Sequence, residues 1–307
     1  MMDKKGELTS KQLVTIIILI VSFGVILIFL FALNLNSDIE RETCRNSVLL
    51  RGTPLGGSTQ LNCKTQDVCI SAGGKCKESL SDTVQIKAND KEEILDELSN
   101  LIYDCHWQMG EGKISFAPDN YGADRNYCVI CNRIYFDEKI KSNEDLNSVT
   151  NKEFYSYLKD KKAPNGEDNL LFTLYRVNSI DSAFTQLSKS EELEKSGLNL
   201  GDLPIRFDLD SGYALVTYER KEGWGGVALA AGTGLLVGAS IVLIPVTGGA
   251  SLVVAGAIIT ASTATGAAVG FAVSGPGGDG AYSPPALYPN QEKVLNGLNC
   301  YEFSTLS

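Results

Sequence analysis

The chain has 307 residues, 44% of them hydrophobic and 21% charged, with a formal net charge of -10 at neutral pH. That length allows one or two domains with a sizeable core, and the acidic balance argues against a nucleic-acid binder, which needs a basic face. The single histidine, His106, excludes a multi-histidine metal site within the chain, while eight cysteines suit paired disulfides in an oxidising compartment.

A short polar tail, residues 1–12, leads into a run without charge. Residues 13–34 are almost entirely aliphatic or aromatic. At about 1.5 Å per helical residue this run matches a ~30 Å hydrocarbon core. It exceeds the ~7–15 residues of a secretory signal core and predicts a retained transmembrane helix. Lys4, Lys5 and Lys11 precede it, and Arg41, Arg45 and Arg51 follow. All eight cysteines lie after it, so the expected orientation keeps the N-terminus inside and the cysteine-bearing body outside. The expected location is the cell membrane, with the main domain outside the cytoplasm.

Residues 35–222 read as an α+β domain. Residues 89–109 predict a helix: Asp90 and Glu93 form a capping-box pattern, and Ile94, Leu95, Leu98, Leu101, Ile102 and Cys105 follow at helical spacing. The glycines of Gly110-Glu111-Gly112 stop it. A second helix is expected in residues 151–160, before a charged loop over 160–169. Strands are expected at 47–52, 84–88, 128–136, 205–209 and 213–219, on their β-branched and aromatic content.

The chemistry-bearing motifs are few. Cys128 and Cys131 form a C-x-x-C pair. A thioredoxin-like site places such a pair at a helix N-terminus, which lowers a thiol pKa; here the flanking residues read as strand. Cys105 or His106 with Cys128 and Cys131 offers a zinc set. Cys105 and His106, however, point about 100° apart on one helix. Structural disulfides are the preferred reading, drawing on Cys44, Cys63, Cys69, Cys76, Cys105, Cys128, Cys131 and Cys300. Eight cysteines allow about 105 pairings, so none is assigned. A phosphate-loop pattern fails, because Trp107 stands where a glycine is needed and Ile114 follows Lys113.

From Gly223 to Gly278 no residue is charged. Two apolar runs, 225–244 and 251–273, flank a turn at Pro245, Gly248 and Gly249, and each is long enough to cross a bilayer. Small residues recur every fourth position: Gly226, Ala230, Gly234 and Gly238, then Ser262, Gly266, Gly270 and Ser274. In helices this spacing makes a stripe where two backbones pack closely, so residues 223–275 predict a Gly/Ala-rich helical hairpin. A flexible linker is expected after it, and residues 276–307 are expected to return to the body and add a strand.

Two resemblances bear on these features. The opening residues before the apolar helix resemble a class III, pilin-like signal, which implies cleavage after Gly6; Glu7 stands where that group more often has glutamine. The segments 43–52, 61–65, 109–113 and 128–134, with the N-terminal anchor and the Gly-rich run before a final Cys300, resemble uncharacterised membrane proteins of small-genome archaea. That resemblance implies no catalytic residues.

The fold expected is therefore a membrane protein with an N-terminal transmembrane helix, a disulfide-supported extracytoplasmic α+β domain and a helical hairpin. The expected function is a membrane-anchored structural or interaction protein, needing no cofactor or metal. Its partners are the lipid bilayer and a second copy or another protein met through the helices. One alternative is membrane insertion or pore formation through 225–273. Another is a tethered thiol oxidoreductase using Cys128 and Cys131.

Overall fold

The structure is a computed structural model that describes residues 10–32, 36–53, 59–77, 83–118, 126–164, 166, 168–175, 179–180, 202, 204–221, 271–275, 278–298 and 300–304. It divides into two units, Met1–Glu42 and Thr43–Ser307.

The first unit carries helix α1, Ser10–Ala32, and the start of α2, Asn36–Arg51. The exposed large hydrophobic side chains among the described residues all lie on α1 and α2, and those of α1 run from Leu13 to Ile26. Among the described residues no helix is long and apolar enough to cross a membrane. The transmembrane helix expected over 13–34 is corrected accordingly, and with it the membrane-protein fold class. The fold is α+β, with a mixed sheet and four disulfides.

The second unit is built on that sheet. Its strands are β1, Gln66–Ser71; β2, Val84–Lys87; β3, Asn126–Phe136; β6, Tyr213–Lys221; β7, Phe271–Gly275; β8, Gly278–Pro289; and β9, Cys300–Ser304. The order is β2-β1-β3-β6-β8-β7. Strand β3 is the spine. On one side it pairs antiparallel with β6. On the other side β1 and β9 both run parallel to it, end to end: β9 against Asn126–Val129 and β1 against Asn132–Phe136. A separate two-stranded sheet joins β4, Ser148–Thr150, to β5, Pro204–Arg206.

The sheet has two unequal faces. Helices α3, Lys91–Gln108; α5, Asn151–Asp160; and α6, Leu170–Tyr175 contribute to the larger core, with Val68, Ile70, Ile94, Leu98, Val129, Ile134, Phe136 and Tyr213. A smaller core holds Cys128, Ile130, Ala214, Val216 and Tyr288 with Val294 and Leu298, and includes α7, Glu292–Gly297. A bulge in β3 explains how residues are shared out. Ile130 pairs with Val216 and Asn132 with Leu215, leaving Cys131 as the extra residue. Before the bulge, odd-numbered side chains face the larger core; after it, even-numbered ones do. One extra residue shifts a period-two pattern in this way. A second irregularity sets Val216–Tyr218 of β6 against Ala286–Ser283 of β8, with Pro284 and Pro285 between. Prolines, which lack an N–H, are tolerated at such breaks.

Helix α3 begins as expected: Asp90 accepts from the Glu93 N–H at 2.8 Å. The Glu93 carboxylate, however, reaches Asn89 N rather than that of Asp90. A complete capping box stands instead at Thr150 and Glu153, at the start of α5. A short helix α4, Glu138–Ser142, is capped by buried Asp137, whose other oxygen accepts from Gly74 N at 2.7 Å.

Three expectations are overturned here. Residues 47–52 are not a strand: they belong to α2, where Cys44, Ser47, Val48 and Arg51 are buried at helical spacing while Leu49 and Leu50 stay exposed. The apolar run over 251–273 ends in a strand, since Phe271 opens β7. The linker expected after it is the β7–β8 pair, in register from Phe271–Tyr282 to Gly275–Gly278. The rest of the hairpin expected over 223–275 lies outside the described residues. Where one added strand was expected after the apolar run, β8 pairs with β6 and β9 with β3.

Candidate functional site

The cysteines settle into four pairs: Cys44–Cys63, Cys69–Cys76, Cys105–Cys131 and Cys128–Cys300. No cysteine is free. The C-x-x-C pair is split by its own strand. Cys128 faces the smaller core and Cys131 the larger one. Each thiol then meets the cysteine on its own face: Cys131 meets Cys105 of α3, and Cys128 meets Cys300 of β9. Because a strand sends neighbouring side chains to opposite faces, the motif cannot act here as a paired dithiol. The thiols weighed for zinc are spent in the same bonds, and thiolates are what zinc requires. Among the described residues there is no group of three or more His, Cys, Asp and Glu able to hold a metal ion.

His106 is buried, and its Nδ1 lies 2.9 Å from the Tyr282 hydroxyl. Burial raises the Tyr282 pKa above the ordinary phenol value, and the pair is a polar contact inside the body. Beside it the chain makes a tight left-handed turn. Gly110, Glu111 and Gly112 have φ of 69°, 60° and 64°. The two glycines suit that region, but Glu111 is strained there. At Gly112 an added Cβ would meet the Tyr282 ring at 2.5 Å, so the glycine permits the turn to lie on the sheet. The Glu111 side chain forms ion pairs with Lys113 and Arg45. Arg45 in turn covers the Trp107 ring at 4.1 Å. Partial burial pulls the Glu111 pKa upward, but these cations outweigh it and the carboxyl sits below its ordinary value.

A second polar cluster holds the following segment. Glu219, buried on β6, accepts from the Ser115 hydroxyl at 2.6 Å and from the backbone N–H of Phe116 and Ala117 at 2.9 and 3.2 Å. Arg51, buried at the end of α2, donates to the Phe116 carbonyl at 2.6 Å and the Thr59 carbonyl at 2.7 Å. Acid and base thus grip opposite edges of one peptide stretch. Burial raises the Glu219 pKa against the opposing pull of those hydrogen bonds and of Arg51.

The third cluster links α3 to α5. Lys161 Nζ donates to Asp96 Oδ1 at 2.6 Å, Asn100 Oδ1 at 2.7 Å and the Ser99 hydroxyl at 2.8 Å, and Tyr157 donates to Asp96 at 2.5 Å. A Ser–Lys contact can be catalytic where the lysine is neutral and the serine reachable. Here the lysine sits against a carboxylate and Ser99 is fully buried. The cluster fastens two helices.

Of the eight positions expected to line the hairpin, Gly226, Ala230, Gly234, Gly238, Ser262, Gly266 and Gly270 lie outside the described residues. Ser274 stands in β7 opposite Asp279, as part of a strand. The Arg51–Glu219 grip carries no local sequence signal, because its partners are far apart in the chain and meet only through the sheet.

What remains as a candidate for function is a surface. The exposed large hydrophobics among the described residues are concentrated on α1, where Ile18, Leu19 and Ile20 are 62%, 62% and 66% exposed. Large apolar patches on a protein surface mark places where something else binds. No known protein family, curated protein or solved structure matches the chain.

Proposed function

We propose that the chain is an extracytoplasmic structural or interaction protein, held at a lipid bilayer by the apolar surface of α1. The observation that carries this reading is the contrast on one chain between a helix exposed in its aliphatic side chains and a body in which, among the described residues, Leu49 and Leu50 are the large hydrophobics left exposed. Adjacent exposed positions on a helix point in different directions, so no single protein groove covers Ile18, Leu19, Ile20 and Val21 together. Acyl chains can. The four disulfides support a location outside the cytoplasm, where such bonds persist. The clusters around His106, Glu219 and Lys161 support a body built for rigidity, since their hydrogen bonds join segments far apart in the chain.

Flotation with liposomes tests the reading. The full chain should rise with neutral vesicles in a density gradient, and Ile18→Asp with Val21→Asp together should leave most of it at the bottom. Equal flotation of both chains, or none by either, would remove α1 as the lipid contact.

A further inference from the structure

We infer that β9 is an exchangeable strand, and that the Asn126–Val129 edge of β3 accepts β9 from a second copy of this chain once the Cys128–Cys300 disulfide opens. This deepens the proposed interaction role by naming a partner; it shares with that reading only the oxidising setting.

Three observations converge on this edge. First, β9 is the last described element, five residues long, and among the named strands it pairs with β3 alone. It occupies only part of an edge whose remainder is filled by β1. Removing β9 therefore uncovers a short row of backbone donors and acceptors without disturbing the β1–β3 or β3–β6 pairs. An open strand edge of this kind is a template for an identical strand from another chain.

Second, the bond that fixes β9 is the one most open to exchange. Seven of the eight cysteines are buried; Cys300 alone is only partly buried. The other three disulfides have buried sulfur-bearing residues at both ends. Cys300 is thus the cysteine residue with the most exposed surface, and thiol–disulfide exchange depends on which sulfur can be reached.

Third, the chain before β9 is held separately. The Asn126 side-chain amide donates to the Leu298 carbonyl at 2.7 Å, and Leu298 and Val294 belong to the smaller core. The movement can be confined to the residues after Leu298, leaving α7 in place. A hinge so short requires the two copies to meet with their β3 edges side by side, which is the arrangement of a two-fold exchanged pair.

The chemistry needs no net oxidant or reductant. A small thiolate attacks the Cys300 sulfur. A new sulfur–sulfur bond forms there, the Cys128–Cys300 bond breaks, and Cys128 leaves as a thiolate. The Cys128 thiolate of one copy then attacks the mixed disulfide on Cys300 of the other, forming an interchain bond and expelling the small thiolate unchanged. Two such steps give a reciprocal pair of copies, with the bond count restored.

The test uses the unaltered full chain, prepared once with ordinary nitrogen and once with heavy nitrogen. Equal amounts are mixed at high protein concentration, given a brief pulse of reduced glutathione, quenched with acid and digested without reduction. Peptide pairs joined by each disulfide are then weighed. The expected result is mixed-label Cys128–Cys300 pairs approaching half of that pair's total, with Cys44–Cys63, Cys69–Cys76 and Cys105–Cys131 remaining single-label. Cys128–Cys300 pairs that remain single-label would overturn the inference. So would equal mixing in all four disulfides, which reports general unfolding, or earlier opening of any other pair. Vesicle binding plays no part in this readout, so its failure and that of the lipid reading are told apart.

Discussion

The same kinds of side chain take opposite positions in the two units. In α3, Ile94 and Ile102 are buried at 0% and 1% exposure, whereas in α1 Ile18 and Ile20 stand open. The difference lies in pattern. Helix α3 alternates Ile94, Leu95, Leu98, Leu101 and Ile102 with Glu92, Glu93, Glu97 and Asn100, so one stripe turns to the sheet and the other face is wetted. Helix α1 has no polar stripe, and nothing in its sequence selects a face. Amphipathic design gives a helix a place in a protein core; uniform apolarity suits it to an apolar medium.

Substitutions in each unit probe this contrast. The largest effect is expected at Phe136, which stacks on Phe207 at a centroid distance of 4.4 Å and meets Tyr213 edge-on. Phe136→Ala should destabilise the body by about 3–5 kcal/mol in urea unfolding, and a loss under ~1 kcal/mol would mean that the core is not built around this strand. Next comes Glu219→Ala, which strips acceptors from Ser115, Phe116 N and Ala117 N and should cost about 2–3 kcal/mol. Thr150→Ala removes a complete capping box and should cost about 1 kcal/mol.

A subtler effect is the pH response of Glu219. Burial holds its folded pKa above the unfolded value. Its contribution is therefore fully present below the unfolded pKa and fades as pH rises through the folded one. Glutamine keeps an acceptor for the two backbone N–H groups and can donate to Ser115, yet never ionises. The thermal stability of the unaltered chain should fall relative to Glu219→Gln as pH is raised from 4 to 7, and parallel curves would contradict the assignment. The smallest effect is expected in the first unit: Ile18→Asp should shift body unfolding by less than ~0.5 kcal/mol.

How much of this was legible in the sequence follows the range of the forces involved. Local signals read well: the Asp90 cap and the apolar spacing of α3, the run of α5 and the apolar strand through Cys128 and Cys131. The 47–52 segment misled, because Val48, Leu49 and Leu50 look like strand residues locally. Only the partners of Cys44, Ser47 and Arg51 in the 59–63 segment and at Phe116 reveal helical burial. Pairing in the sheet is a long-range matter. Neither the β3 bulge at Cys131 nor the joining of Cys128 to Cys300 follows from spacing, yet the two cysteines of a motif that looks like a paired dithiol end in two separate disulfides. The strand at Phe271–Gly275 was hidden for the opposite reason: its uncharged, small-residue composition continues the preceding run without a break, and its pairing with β8 sets it apart.

The most direct measurement of the central claim places a reporter on α1. Phe23→Trp, compared with the unaltered chain, isolates the emission of one added indole over the native background. In vesicles whose acyl chains carry bromine, the proposed lipid contact of α1 predicts that added emission to be blue-shifted and strongly quenched. Emission that stays red-shifted and indifferent to brominated lipid would show α1 in water or against protein, and would contradict the account.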